Sequence, residues 1–237
     1  MIEIIIDRLK KVKSIDKIYI CTSSEPVDDI LEDIALSNNV SIYRGSADEV
    51  IERLLSVGRI ENAGAIIRIT GDNPLTSIEY IDQQVGMLEK EDIDYVRLID
   101  VPLGASAEVM KYESLVKCSK LIDPGISEYL MLYMYEPDTF KCGVIKPLDG
   151  NYSNYSITVD TAIDFLRAKS ILNTSHDYTR ISLQDIIQVL EKHRFPGYLL
   201  SPAGKIKLPY NREIDYEDFK ADMARRESKS LRIELYG

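Results

Sequence analysis

Histidine and cysteine are scarce in this chain, with two histidines and three cysteines among 237 residues. His176 and His193 are too few for a zinc site of the usual ligand set. Cys21, Cys118 and Cys142 are widely spaced and odd in number, which argues against a disulfide framework and for a cytoplasmic protein. Long apolar runs are missing too, and none approaches the roughly 18–20 residues of a membrane span. Acidic residues interrupt the opening MIEIIIDRLKKVKSID and no small-residue cleavage site follows it, so no signal peptide is expected. Positive charge is in deficit: 29 Lys and Arg stand against 39 Asp and Glu, a net charge of −10. That balance excludes electrostatic binding to nucleic acid or to an anionic membrane surface. A polyphosphate would need a local cradle or a divalent cation.

What is present is a rhythm of strands and helices. The hydrophobic and charged fractions, 45% and 29%, are those of an ordinary soluble protein, and the length allows one large α/β domain with or without an appendage. Ile2, Ile5, Ile6, Leu9 and Val12 recur at helical spacing and predict an opening helix. KIYICTS reads as a strand, and Ser24 and Pro26 mark a helix start whose buried face is Val27, Ile30, Leu31 and Ile34. VSIYRG is the next strand. Ser46 and Glu49 predict a capping box, as do Thr76 and Glu79 after the strand AIIRIT and the turn from Gly71 to Pro74. Gly71 is expected to supply a backbone conformation that other residues resist. Continuous apolar strands alternating with helices predict a mainly parallel sheet covered on both faces. From residue 100 the pattern changes: AEVMKY and FKCGVIK, with short helices between, predict an antiparallel extension or dimerisation lobe over about 100–150. A last helix is predicted over 182–193 behind Ser182. The main domain is thus expected over 1–195, and 196–237 as a connector, running from Pro196 to Pro209, and a charged tail.

Chemistry has two candidates of like setting. Asp72 follows an apolar strand at the presumed carboxyl edge of a parallel sheet, where open α/β folds place ligands. Asp160 ends the strand of SITVDTAID. Either aspartate alone reads as the cap of a following helix. Together they can converge on one Mg²⁺, which favours one or two carboxylates plus phosphate oxygens. Arg68, inside an apolar strand, needs an anionic partner.

YRGSADEVIERL, IIRITGDNPL, AEVMKYESL and ITVDTAIDF, in this order and spacing, resemble the cytidylyltransferase family. The branch is that of the spore coat polysaccharide biosynthesis protein SpsF, related to the CMP-Kdo and CMP-sialic acid synthetases. The resemblance covers about residues 1–172, with RITGDNPL its most specific block. It implies an α/β nucleotide-diphospho-sugar transferase fold, an α/β/α sandwich close to the GT-A architecture. It also implies an enzyme that joins CTP to a sugar acceptor and releases pyrophosphate, with Mg²⁺ as cofactor and a homodimer as a common assembly. Carried over, Asp72 and Asp160 are the metal carboxylates of catalysis. Thr22, Ser23, Arg44, Gly45, Ser46, Arg68, Thr70 and Gly71 lie on the nucleotide side, and Ser106 and Glu108 fall in the segment facing the acceptor.

The chain departs from the pattern. Family members begin with a strand and a phosphate-cradling loop; here Met1 falls in the following helix, so a central strand and the cradle are expected to be absent. GASAE carries Ser106 where the family has an aspartate, and SEY carries Ser127 and Tyr129 in place of basic residues. Two function classes therefore stay open: a cytidylyltransferase, or a catalytically silent member serving as a binding or assembly subunit. A GT-A glycosyltransferase is the weaker third, because the one Asp-x-Asp match, Asp92 to Asp94, opens a strand.

Overall fold

A computed structural model describes residues 1–200, 205–210 and 212–236. Of the connector expected from Pro196 to Pro209, residues 201–204 lie outside the described residues. The opening periodicity folds as α1 (Ile2–Leu9), with Ile5 and Ile6 turned inward. Then come β1 (Tyr19–Ser23), α2 (Ile30–Ser37), β2 (Ser41–Gly45), α3 (Val50–Ile60) and β3 (Ala65–Arg68). The middle of the chain supplies α4 (Ile81–Lys90), β4 (Tyr95–Leu98), β5 (Glu108–Lys111), α5 (Tyr112–Ser119), α6 (Leu130–Met134) and β6 (Cys142–Lys146). It continues into α7 (Ala162–Leu172) and α8 (Leu183–His193), and ends in β7 (Lys205–Leu208), β8 (Arg212–Asp215), α9 (Tyr216–Ser228) and β9 (Leu231–Glu234).

The main sheet has the order β3-β5-β4-β6-β9. β4, β6 and β9 run parallel, and β5 runs antiparallel to both β3 and β4. A period of two sends side chains to two helical layers. Val96, Leu98, Val109 and Ile145 pack into the cluster shared with α7 and α8, while Tyr95, Met110 and Val144 pack toward α3, α5 and α6. This is the expected α/β/α sandwich.

β1 and β2 form a separate parallel pair. Among the described residues β1 and β3 each hydrogen-bond to a strand on one side only. α3 packs on both pieces. β3 is half-buried along its length, in contrast to Cys142–Ile145 of β6, which are fully covered.

Residues 100–150 differ from expectation. β5 and β6 join the main sheet instead of forming an antiparallel extension, because both are apolar on two faces: Val109, Met110, Val144 and Ile145 are all buried. No helix lies between β4 and β5, so the chain returns antiparallel, as a short connection requires. The antiparallel hairpin is β7–β8. Beyond it the tail docks on the same domain, β9 pairing with β6. Arg226 of α9 donates to the carbonyls of Leu132 and Tyr135 and pairs with Asp222 and Glu136.

Neither predicted capping box forms. The Ile51 amide near the start of α3 donates to the buried Ser127 hydroxyl at 3.0 Å. Thr76 donates to the carbonyls of Asn73 and Gly104, and Glu79 accepts the Leu183 amide at 2.6 Å. Capping boxes do form at Thr161–Asp164 and Ser182–Asp185. The buried Arg8 guanidinium fastens α1 by donating to the carbonyls of Thr76, Tyr178 and Ile181.

Candidate active site

Asp72 sits in the turn that follows β3, at the carboxyl end of that strand. The Thr70 hydroxyl donates to its Oδ1, and Asn73 Nδ2 donates to the same oxygen at 3.1 Å and to Thr70 Oγ1 at 2.5 Å. No helix starts at Asp72, so it is not a cap. Its carbonyl accepts the Val159 amide at 2.9 Å, which draws the next residue, Asp160, to the same turn. Asp160 is exposed and accepts the Thr158 hydroxyl at 3.0 Å. It is not a cap either: Thr161 and Asp164 cap α7 by themselves. Among the described residues no donor reaches Asp72 Oδ2 or Asp160 Oδ1.

Gly104 closes this knot. Its φ is +91°, and a Cβ there would lie 2.5 Å from Asn73 Oδ1 and 2.9 Å from Thr158 Cγ2. Gly104→Ala is expected to lower the melting temperature and to pry the Asp72 turn from the segment around Thr158, as read by thermal denaturation and by loss of metal-dependent nucleotide binding. A destabilisation of about 1–3 kcal/mol is expected for a side chain forced into such a conformation. Gly71 has no such φ, so the expected need for backbone freedom is not met; a Cβ there would lie 2.9 Å from the tip of the Ile2 side chain of α1.

Arg68 finds its anion in Glu108, directly opposite in the β3–β5 register, with Nη1 to Oε2 at 2.6 Å. The Tyr95 hydroxyl donates to the other Glu108 oxygen at 3.2 Å. Burial alone would lower the Arg68 pKa, but the Glu108 carboxylate outweighs it and raises it. Tyr95, fully buried, is pushed well above the usual phenol value by that burial. Ser106 is engaged with backbone, accepting the Leu98 amide at 2.9 Å and donating to the Ala107 carbonyl.

The other predicted residues gather at the ends of β1 and β2, where Thr22 faces Arg44 and Ser23 faces Gly45. Asp28 Oδ2 accepts both hydroxyls, Thr22 at 2.8 Å, and these bonds, Ser23 first, hold the Asp28 carboxyl below the usual range. Arg44 donates to the carbonyls of Ser23 and Glu25 and pairs with Asp29 and Glu32, so it braces the loop after β1. The exposed Ser46 offers its carbonyl to Arg53. Among the described residues no hydrogen bond or ion pair joins this group to the Asp72 group. Asn73, Gly104 and Thr158 escape prediction. Asn73 stands next to Asp72 in GDNPL, and Gly104 opens GASAE, but only the folded contacts reveal why each residue type is needed.

The sequence model of the cytidylyltransferases matches residues 1–195. The chain belongs to the cytidylyltransferase family. Among its relatives, the spore coat polysaccharide biosynthesis protein SpsF of Bacillus subtilis is 25% identical over 201 residues, 81% of this chain and 84% of SpsF. An uncharacterized protein of Methanocaldococcus jannaschii is 34% identical over 196 residues, 81% of this cytidylyltransferase and 80% of the relative. A solved cytidylyltransferase from Leptospira borgpetersenii serovar Hardjo-bovis superimposes with a TM-score of 0.74 at 28% identity, covering 81% of this chain and 83% of its own. CMP:2-keto-3-deoxy-manno-octonic acid synthetase, solved with CTP, shares the fold at a TM-score of 0.55 and 13% identity, covering 73% and 87%. The expected SpsF-like kinship and nucleotide-sugar transferase fold are therefore upheld, and the protein is a nucleotidyltransferase by family. Among the described residues no helix is long and apolar enough to cross a membrane.

Proposed function

We propose that this cytidylyltransferase transfers CMP from CTP to a sugar hydroxyl in surface-polysaccharide or nonulosonic-acid biosynthesis, with Asp72 and Asp160 holding Mg²⁺. One observation carries this reading: two aspartates far apart in sequence are joined through the Val159–Asp72 backbone bond, and neither caps a helix. Each keeps an oxygen that no described residue satisfies. Among the described residues no cluster of three or more His, Cys, Asp or Glu could hold a metal unaided. Two carboxylates therefore suit Mg²⁺, whose remaining positions go to phosphate oxygens and water.

In the reaction, the acceptor hydroxyl oxygen bonds to the α-phosphorus. The bond to the oxygen bridging the α- and β-phosphates breaks, pyrophosphate departs with the electron pair, and the hydroxyl proton is lost to solvent. Bound Mg²⁺ would supply neutralisation of charge on the phosphate oxygens. The chain's own residues position. Asp72 and Asp160 hold the ion, and the Arg68–Glu108 pair locks the end of β3 to β5 beneath the turn. Thr22, Ser23, Arg44, Gly45 and Ser46 form the nucleotide wall at the ends of β1 and β2, and the Ser106–Glu108 segment lies toward the acceptor. No histidine or cysteine nucleophile is needed.

Calorimetric titration of CTP with and without Mg²⁺ tests the site, followed by a sugar panel scored by pyrophosphate release. Metal-dependent binding and release with one sugar class are expected. One observation favours the competing reading of a silent binding or assembly subunit: the Arg44, Thr22 and Ser23 side chains are engaged in intramolecular bonds. A folded sample that binds no CTP under either condition would decide for that reading.

A further inference from the structure

We infer that Asn73, acting with Thr70, is the positioning residue that aims the Asp72 carboxylate at its cation; this rests on the metal assignment proposed above. A carboxylate on a turn can rotate about its own axis, and a turn at a sheet edge offers little packing to stop it. Here a closed triangle of hydrogen bonds stops it. Asn73 Nδ2 donates to Thr70 Oγ1 and to Asp72 Oδ1, and the Thr70 hydroxyl donates to the same Asp72 oxygen. Both donors converge on Oδ1, so Oδ2 is the oxygen left without a donor among the described residues.

Asn73 is in turn held rigid. Its amide donates to the Thr70 carbonyl at 3.1 Å, and its own carbonyl accepts the Thr76 amide at 3.3 Å and the Thr76 hydroxyl at 3.0 Å. Its Oδ1 is buried without a hydrogen-bond partner, in the space that a side chain at Gly104 would fill. The two donor bonds fix the sense of the side chain: rotating the amide by half a turn would aim an acceptor at the Asp72 carboxylate and lose both. The residue tolerates an unsatisfied acceptor in exchange for two correctly aimed donors, an arrangement that a turn-forming asparagine alone would not need. Groups that hydrogen-bond a ligating carboxylate set its orientation, and losing them typically weakens metal affinity by about 10- to 100-fold.

The readout is the ratio of CTP dissociation constants without and with Mg²⁺, measured by calorimetry on the full chain, with melting temperature recorded beside it. Asn73→Ala and Thr70→Val are expected to cut that ratio by about tenfold or more, and Thr70→Ser, which restores the hydroxyl, to recover most of it. A merely structural role would lower the melting temperature and leave the ratio alone. Should Asn73→Ala not fold, the isosteric Thr70→Val against Thr70→Ser decides the matter. Wild-type binding with a strong Mg²⁺ dependence, retained to within about twofold in both Asn73→Ala and Thr70→Val, would overturn this inference alone. Wild-type binding that ignores Mg²⁺ would overturn the metal assignment and this inference with it.

Discussion

Asp72→Asn is expected to reduce CTP affinity in Mg²⁺ to the value found without the ion, and to leave folding almost untouched. The substitution is nearly isosteric. An asparagine oxygen in the place of Oδ1 still accepts from Thr70 and Asn73, so the triangle that orients residue 72 survives, as does the backbone bond from Val159. What disappears is the formal charge of the carboxylate, and a hard divalent cation with only two protein carboxylates loses one of them. Because the side chain is half-buried and keeps its hydrogen bonds, the stability change is expected to stay within about 0.5 kcal/mol. Paired calorimetry and denaturation separate the two effects. Unchanged Mg²⁺ dependence in a folded Asp72→Asn protein would end the metal assignment, and the same substitution at the exposed Asp160 provides an independent second test.

The strands and their helices are legible in the sequence because the buried ones are continuous apolar runs. β4 and β6 could hardly be anything else. The order of the sheet is less legible. β5 inserts antiparallel between β3 and β4, and nothing local in AEVMKY announces which neighbours it will have. Capping boxes show the same limit. Ser46 and Glu49 have the right spacing, yet α3 takes its hydroxyl from Ser127, a residue distant in sequence that folding brings to the helix start. At the site, the position of Asp72 just after β3 is readable, and so is the need of Arg68 for an anion, whereas the strand expected to end at Asp160 does not form, residues 157–160 belonging to no strand. The identity of that anion, the Val159 link between the two aspartates and the orphaned Asn73 oxygen are not, since each is set by contacts between segments that only the folded chain brings together. Arg44 shows the converse. A residue aligned with a nucleotide-side position also braces its own loop through four partners, and no motif distinguishes that use from ligand binding.

Glu108→Gln is expected to produce the largest loss of stability at the site, about 3 kcal/mol, the lower end of what removing one partner of a buried ion pair typically costs. The side chains of Arg68 and Glu108 are only 15% and 12% exposed, so solvent can do little to compensate. Glutamine is the sharpest probe because it keeps shape and removes charge. Its single carbonyl oxygen can face either the Arg68 guanidinium, which leaves the proton of the fully buried Tyr95 hydroxyl without its Glu108 acceptor, or Tyr95, which turns the amide, a donor, toward the donor-only guanidinium. In either orientation one buried donor loses its acceptor. The loss should appear as a lower urea midpoint with an unchanged slope, since the surface exposed on unfolding stays the same. Replacing both members, Arg68→Met with Glu108→Leu, should recover much of that stability, as buried pairs often exchange for apolar residues at little net cost. The double variant should nonetheless bind CTP more weakly than the wild type, if the pair locks the end of β3 to β5 so that the Asp72 turn starts from a fixed point. A Glu108→Gln protein within about 0.5 kcal/mol of wild type would show that the pair is not what holds that strand end. A double variant as stable as wild type that binds CTP and Mg²⁺ normally would remove the pair from the site altogether.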